Sequence, residues 1–195
     1  TKPGINYNED GSVTLVFRDK DSEGKSYDYA YVIGEFTDWK VDPKYLMKRD
    51  EAEGCWWYTM TGINQTKEYM FQYYLGNMGQ DGRAYADPYS EIIYEPYDRY
   101  ITSSTYPGLP DYPTAAKGAV SAFKVQKTDY AWTVADYQIE DQNDLVIYEL
   151  LLREFTENGD KEGNLKLAME KLDMLQELGV NAIELMPVQE FDGNN

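Results

Sequence analysis

The sequence predicts a β-sandwich followed by a truncated β-α-β opening of a TIM-type (β/α)8 barrel. Three observations lead there. Short alternating apolar runs recur, with turn residues roughly every ten positions, through the first hundred residues, as in an antiparallel sandwich. Residues 145–152 and 180–188 are nearly unbroken apolar runs, suited to strands covered on both faces of a parallel sheet. Between them Leu165, Ala168, Leu172 and Leu175 form one helical stripe, with Asn164 placed to cap its start and Gly179 its end. A parallel pair with an apolar outer face is not a complete domain, so the chain reads as cut from a longer protein. The expected division is a sandwich over residues 1–100, a linker over 101–143 and the strand–helix–strand unit over 144–195.

Asp10-Gly11 is a turn signal, after which Val13, Leu15 and Phe17 alternate with Thr14, Val16 and Arg18 as a strand. Residues 27–36 read as the next strand, 45–48 as a short one, and 51–54 as a turn. Trp56, Tyr58 and Met60 alternate with Trp57 and Thr59, which puts Trp56 in the core and Trp57 on the opposite face. A strand over 68–75 follows, then a glycine-rich hairpin loop over 76–82. Pro107, Pro110 and Pro113 with Gly108 mark an irregular connection, and its tyrosines suit a segment laid along a surface. Residues 119–125 carry weak strand character.

Thirty-five acidic against 18 basic residues give the 195-residue chain a net charge of −17. Such a surface repels nucleic acid and anionic lipid and tolerates a neutral partner such as a sugar. No run is long and apolar enough for membrane insertion. With one cysteine, Cys55, and no histidine, internal disulfides, Ser-His-Asp triads and His-ligated metals are all excluded. Nineteen tyrosines supply flat rings with polar tips, useful in sandwich cores and on sugar-binding faces alike.

Ile33-Gly34-Glu35-Phe36-Thr37-Asp38-Trp39 resembles the Gly-x-Phe-Asn-x-Trp motif of the immunoglobulin-like early-set sandwiches that precede the barrel in starch-active enzymes, carbohydrate-binding module family 48 and its relatives. Gly54-Cys55-Trp56, residues 69–75 and Asp87-Pro88-Tyr89 fit the same pattern, and the resemblance covers roughly residues 12–95. It implies glucan stacking on Trp39. Gln72 falls where the family's basic residue would stand, and Ala84 falls near the second tryptophan, with Tyr85 beside it. Two readings stay open: a structural shoulder for the barrel, or a glucan-binding module with Trp39, Trp57 and Tyr85 as a stacking platform.

Tyr148-Glu-Leu-Leu-Leu-Arg153-Glu-Phe-Thr156 resembles the first barrel strand of glycoside hydrolase family 13, the α-amylase family, with Leu151 where many members have histidine. Residues 171–191, above all Leu185-Met186-Pro187-Val188, resemble that family's first helix and second strand. The implied subgroups are branching-enzyme-like, amylase-like and debranching-like. The implied chemistry is retaining cleavage or transfer of α-glucosidic bonds in starch- or glycogen-like polysaccharide or oligosaccharide, with two carboxyls about 5–5.5 Å apart. The resemblance puts the family's nucleophile, acid/base and third carboxylate after strands four, five and seven. No catalytic residue is therefore assigned, and the chain alone is expected to be inactive. Glu149 and Glu184 are expected as buried structural acids near Arg153, and Glu190 and Asp192 as loop-shaping residues. No organic cofactor is implied. Some relatives bind calcium, but no metal-ligand cluster is visible here. The uncovered strands are expected to bury themselves against the sandwich or against a second copy, forming a homo-oligomer.

Overall fold

A computed structural model describes residues 2–19, 26–104, 106–127, 130–134, 136–139, 141–156 and 165–188. The chain divides into two compact units, Thr1–Asp129 and Tyr130–Asn195.

The first unit is a β-sandwich. One sheet runs β1 (Gly4–Tyr7), β2 (Val13–Arg18), β5 (Cys55–Met60), β4 (Lys48–Asp50), all antiparallel. The other runs β3 (Tyr29–Gly34), β6 (Tyr69–Gly76), β9 (Val120–Phe123), β8 (Ile92–Tyr94), with β7 (Arg83–Tyr85) also pairing with β6. Alternation sets the core. Val13, Leu15, Trp56 and Met60 from the first sheet meet Ala30, Val32, Phe71, Tyr73, Leu75 and Phe123 from the second. The Asp10-Gly11 turn forms as the sequence predicts. Gly11 sits at φ 79, and the Asp10 carboxylate accepts from the Ser12 amide at 2.9 Å.

Two buried polar clusters brace the sandwich. Asp19 is 1% exposed; its Oδ2 accepts from Trp56 Nε1 at 2.9 Å, and its Oδ1 is ion-paired with Arg49 at 2.8 Å. The second cluster explains the Asp87-Pro88-Tyr89 motif. Asp87 Oδ2 accepts from the Tyr73 hydroxyl at 2.6 Å and Oδ1 accepts from the Tyr89 amide at 2.7 Å. The Asp87 amide in turn donates to Ser121 Oγ at 2.7 Å. One residue, through its carboxylate and its own amide, thus ties β6, the corner after β7 and β9 together.

Several expectations change. Of residues 45–48 only Lys48 lies in a strand. Pro43 starts a 3-10 turn, Pro43–Tyr45, capped by the Asp42 carboxylate on the Lys44 amide at 2.9 Å, and the strand follows as β4. Residues 101–143 are not simply a linker. β9 lies within them and joins β8 to complete the second sheet, and the intervening segment returns across its outer face. There Leu109, Tyr112 and Ala116 pack with Tyr94, Val120 and Ala122 in a second small core. The sandwich unit therefore runs past residue 100.

The second unit holds β10 (Ile147–Leu150), α1 (Leu152–Thr156), α2 (Leu165–Met169), α3 (Leu172–Glu177) and β11 (Ala182–Leu185). β10 and β11 are parallel, with Ile147 opposite Ala182. Asn181 fastens their starts: its Oδ1 accepts from the Val146 amide at 2.7 Å and its Nδ2 donates to the Asp144 carbonyl at 2.9 Å. The sequence predicts one helix here, whereas the structure has two short ones with a break at Lys171. Ala168 and Leu175 of the predicted stripe are buried, while Leu165 and Leu172 are exposed. Gly179, at φ 83, ends α3 as predicted. The amides of Gly179 and Val180 return to the carbonyls of Gln176 and Leu175. Asn164, Glu190 and Asp192 lie outside the described residues. Glu149 and Glu184 are not buried. They sit opposite each other in the parallel ladder, both exposed, and Arg153 is exposed in α1 rather than at the strand end. Among the described residues no layer covers that face of the pair, so the two acids stay in water.

Candidate functional site

The outer face of the β3-β6-β9-β8 sheet carries a cleft of roughly 630 Å³, lined in part by Trp39, Gln72, Tyr74, Ala84 and Lys117. The loop after β3 builds one wall. A Cβ on Gly34 would lie 2.3 Å from the Met70 carbonyl oxygen, so only glycine allows the strand to pass there. Thr37 Oγ1 accepts from the Gly34 amide and donates to the Gly34 carbonyl, each at 3.1 Å. The Trp39 amide also returns to the Gly34 carbonyl, at 2.9 Å. This tight loop leaves two successive non-glycine residues left-handed, Asp38 at φ 50 and Trp39 at φ 59. That conformation is unfavourable for a bulky aromatic and costs on the order of 1–3 kcal/mol. Its result is to turn the half-buried indole onto the sheet's outer face, where it packs on the second core and borders the cleft.

Gln72 forms the floor. It is 1% exposed, and its Nε2 donates to the carbonyls of Lys117 at 2.8 Å and Ala119 at 2.7 Å. The side chain at the family's basic position is thus a clamp that holds the returning segment against β6. Its Oε1 is buried without a hydrogen-bond partner.

The three aromatic residues predicted to form one platform face three directions. Trp39 borders the cleft. Trp57 pairs with Val16 and Lys48 and stands on the outer face of the other sheet. Tyr85 lies opposite Tyr73 in the β6–β7 ladder, so it shares the core-facing side of that sheet and lines a separate hollow with Tyr27 and Gln80. Ala84, opposite Tyr74, and its neighbour Arg83 are the β7 residues in the Trp39 cleft. The aromatic partners of Trp39 are ones that sequence reasoning missed. Tyr74 lines the cleft and its ring stacks with Tyr29 at 6.4 Å; Tyr29 in turn contacts Tyr31 at 6.0 Å. The available signal was period two, which puts Tyr29 and Tyr31 on one face of β3 and Tyr74 on the face of β6 opposite to Tyr73.

Among the described residues no cluster of acidic or thiol side chains could hold a metal ion, and no helix is long and apolar enough to cross a membrane.

No family model matches the chain. It is 35% identical over 112 residues to the chloroplastic isoamylase SU1 of Zea mays, an alignment covering 53% of this chain and 14% of that protein. It is 46% identical over 65 residues to the malto-oligosyltrehalose trehalohydrolase of Saccharolobus solfataricus, covering 30% of this chain and 11% of that one. The chain therefore spans only a small part of these relatives. Among solved structures it resembles the apo pullulanase of Paenibacillus barengoltzii, with TM-score 0.64 and 17% identity over 97% of this chain and 27% of that one. A pullulanase from the same organism complexed with maltotetraose matches with TM-score 0.55 and 18% identity over 98% of this chain and 28% of that one. At such identity the structural likeness speaks for the fold alone. The relatives are glycosidases, and the family recognised from the residues around Tyr148 and Leu185, glycoside hydrolase family 13, is the family in which this chain's relatives lie.

Proposed function

We propose that this chain is part of an α-glucan-active glycosidase, and that its sandwich holds α-glucan at the Trp39 cleft. The observation that carries the reading is Trp39 itself. A strained left-handed backbone presents its indole at a cleft also lined by Tyr74, Arg83 and Lys117. Rings that offer flat apolar faces beside polar groups suit the stacked, hydroxyl-rimmed surface of glucose units. The maltotetraose complex of a pullulanase with this fold supports malto-oligosaccharide as the ligand class. Trp57 and Tyr85 are not members of this cleft.

In this reading the 144–195 unit is the opening of the glycosidase barrel. β10 and β11 have the parallel pairing and the helical crossover that a βα-barrel uses. Hydrolysis suits the relatives better than glucan branching. The chain carries no assigned catalytic carboxylate and is inactive alone.

Affinity electrophoresis through gels containing amylopectin tests the binding. The chain should be retarded, and Trp39→Ala should clearly lessen that retardation. Equal mobility of the unsubstituted chain in both gels would sink the proposal.

A further inference from the structure

The sandwich's opposite face carries a groove of roughly 380 Å³, floored by β2 and β5 and within the range of about 300–1,000 Å³ for small-ligand sites. Trp57 stands half-exposed in it, between Val16 and Lys48, with Lys48 Nζ 4.7 Å from its ring centroid. The floor has hydrogen-bonding capacity to spare. Thr14 and Thr59 share a hydroxyl–hydroxyl bond of 2.9 Å, and Asn8 Nδ2 donates to Thr14 Oγ1 at 2.9 Å. Two hydroxyls own two hydrogens and their mutual bond uses one, so one O–H remains for an acceptor in the groove whichever way the pair is oriented. Arg18, Asp50 and Glu53 rim the groove, and none is ion-paired among the described residues. Arg18 and Lys48 balance Asp50 and Glu53. On a chain of net charge −17, this patch is locally neutral.

We propose that the Trp57 groove is a second binding site for a neutral oligosaccharide, separate from the Trp39 cleft. An aromatic wall, a hydroxyl donor on the floor and charged side chains of both signs at the rim match a ligand with flat CH faces and hydroxyls that donate and accept. Local neutrality disfavours an anionic or cationic ligand. The two sites lie on opposite outer faces of one sandwich, so a single sandwich engages two chains of a branched polymer, or two stretches of one. This rests on the reading that the sandwich binds α-glucan, and its test can fail independently.

Cys55, the chain's only cysteine, lines this groove and not the Trp39 cleft. Burial, with the carboxylates of Asp50 and Glu53 adding to it, pushes its thiol up, so labelling is run at about pH 8.5 with and without sugar. Saturating maltoheptaose should slow iodoacetamide alkylation of Cys55 about tenfold, followed by mass spectrometry. Trp57→Ala should abolish that protection, with Kd at this site rising about tenfold, while retardation in amylopectin gels persists through Trp39. Trp39→Ala should leave the protection intact. Arg18→Ala, which preserves the ring and the core, should weaken protection if Trp57→Ala fails to fold. Absence of protection at any maltoheptaose concentration would overturn the second site. So would protection that vanishes with Trp39→Ala, since the sugar would then occupy only the first site. Protection of Cys55 together with gel retardation that Trp39→Ala leaves unchanged and Trp57→Ala removes would instead refute the Trp39 cleft and leave this groove as the binding site.

Discussion

Replacing Tyr73 by phenylalanine removes one oxygen from the centre of the sandwich and nothing from its shape. Tyr73 is fully buried, Asp87 is 2% exposed, and the hydroxyl is the donor to Asp87 Oδ2 at 2.6 Å. A hydrogen bond to a buried charged group contributes about 1.5–3 kcal/mol, so Tyr73→Phe should cost about 2 kcal/mol at pH 7. The pH dependence follows from the carboxyl. Burial pushes Asp87 above the ordinary aspartate range, while the Tyr73 and Tyr89 donors pull it back. A carboxyl raised in the folded state contributes stability below its unfolded pKa of about 3.9 and loses it as pH climbs through the folded value. Without the Tyr73 donor the folded value climbs further, so charging Asp87 at neutral pH costs the variant more. The penalty should therefore shrink on acidification, to about 1 kcal/mol near pH 4, where the buried acid is more largely neutral. Urea unfolding followed by tryptophan fluorescence, at pH 7 and at pH 4, measures both. A cost below about 0.5 kcal/mol at pH 7, or a penalty that grows as pH falls, would refute the assignment of Tyr73 and Asp87 as a coupled brace.

Three further outcomes follow. Gly34→Ala places a methyl group 2.3 Å from the Met70 carbonyl oxygen and 2.8 Å from the Phe36 ring, and should cost about 3 kcal/mol or more in the same urea assay. Arg49→Ala leaves the Asp19 carboxylate buried with only the Trp56 indole among the described residues, and should destabilise by about 3 kcal/mol, whereas Arg49→Ala combined with Asp19→Asn should recover part of that loss. Val146, Ile147, Ile183 and Leu185 are exposed on the parallel pair, so the chain should self-associate in light scattering, and charged substitutions at Ile147 and Ile183 should return it to a monomer. A monomer whose residues 145–188 resist protease would contradict that outcome.

The strands that pair early and alternate strictly were legible from sequence. Val13, Leu15 and Phe17 against Trp56, Tyr58 and Met60 show period two, and the opposite face of Trp57 follows from it. A single strand's alternation does not say which sheet the strand joins. That is why Trp39, Trp57 and Tyr85 could be grouped although Trp57 belongs to the other sheet and Tyr85 faces the core side of its own. β1 is short, starts at a glycine and sits at an edge, so its four residues carry no pattern of their own. β9 falls within residues 119–125, whose weak strand character the sequence shows, but its place in the sandwich sheet beside β8 was hidden by what separates the two. The prolines between residues 107 and 113 mark irregular chain, and nothing local announces that such chain is held by the Gln72 amide and returns a strand to the sheet. The departure of Gln72 from the family's basic residue looked like a lost contact to sugar. In the structure it is a gained contact to backbone. For Glu149 and Glu184, burial depends on layers outside the two strands themselves, and strand composition alone could not supply them.

A crystal structure of this chain grown with maltoheptaose tests the central claim most directly. Glucose rings stacked on Trp39 and contacting Tyr74 are the result predicted here. Well-ordered sugar elsewhere on the sandwich, with the Trp39 cleft open to solvent and empty, would contradict it.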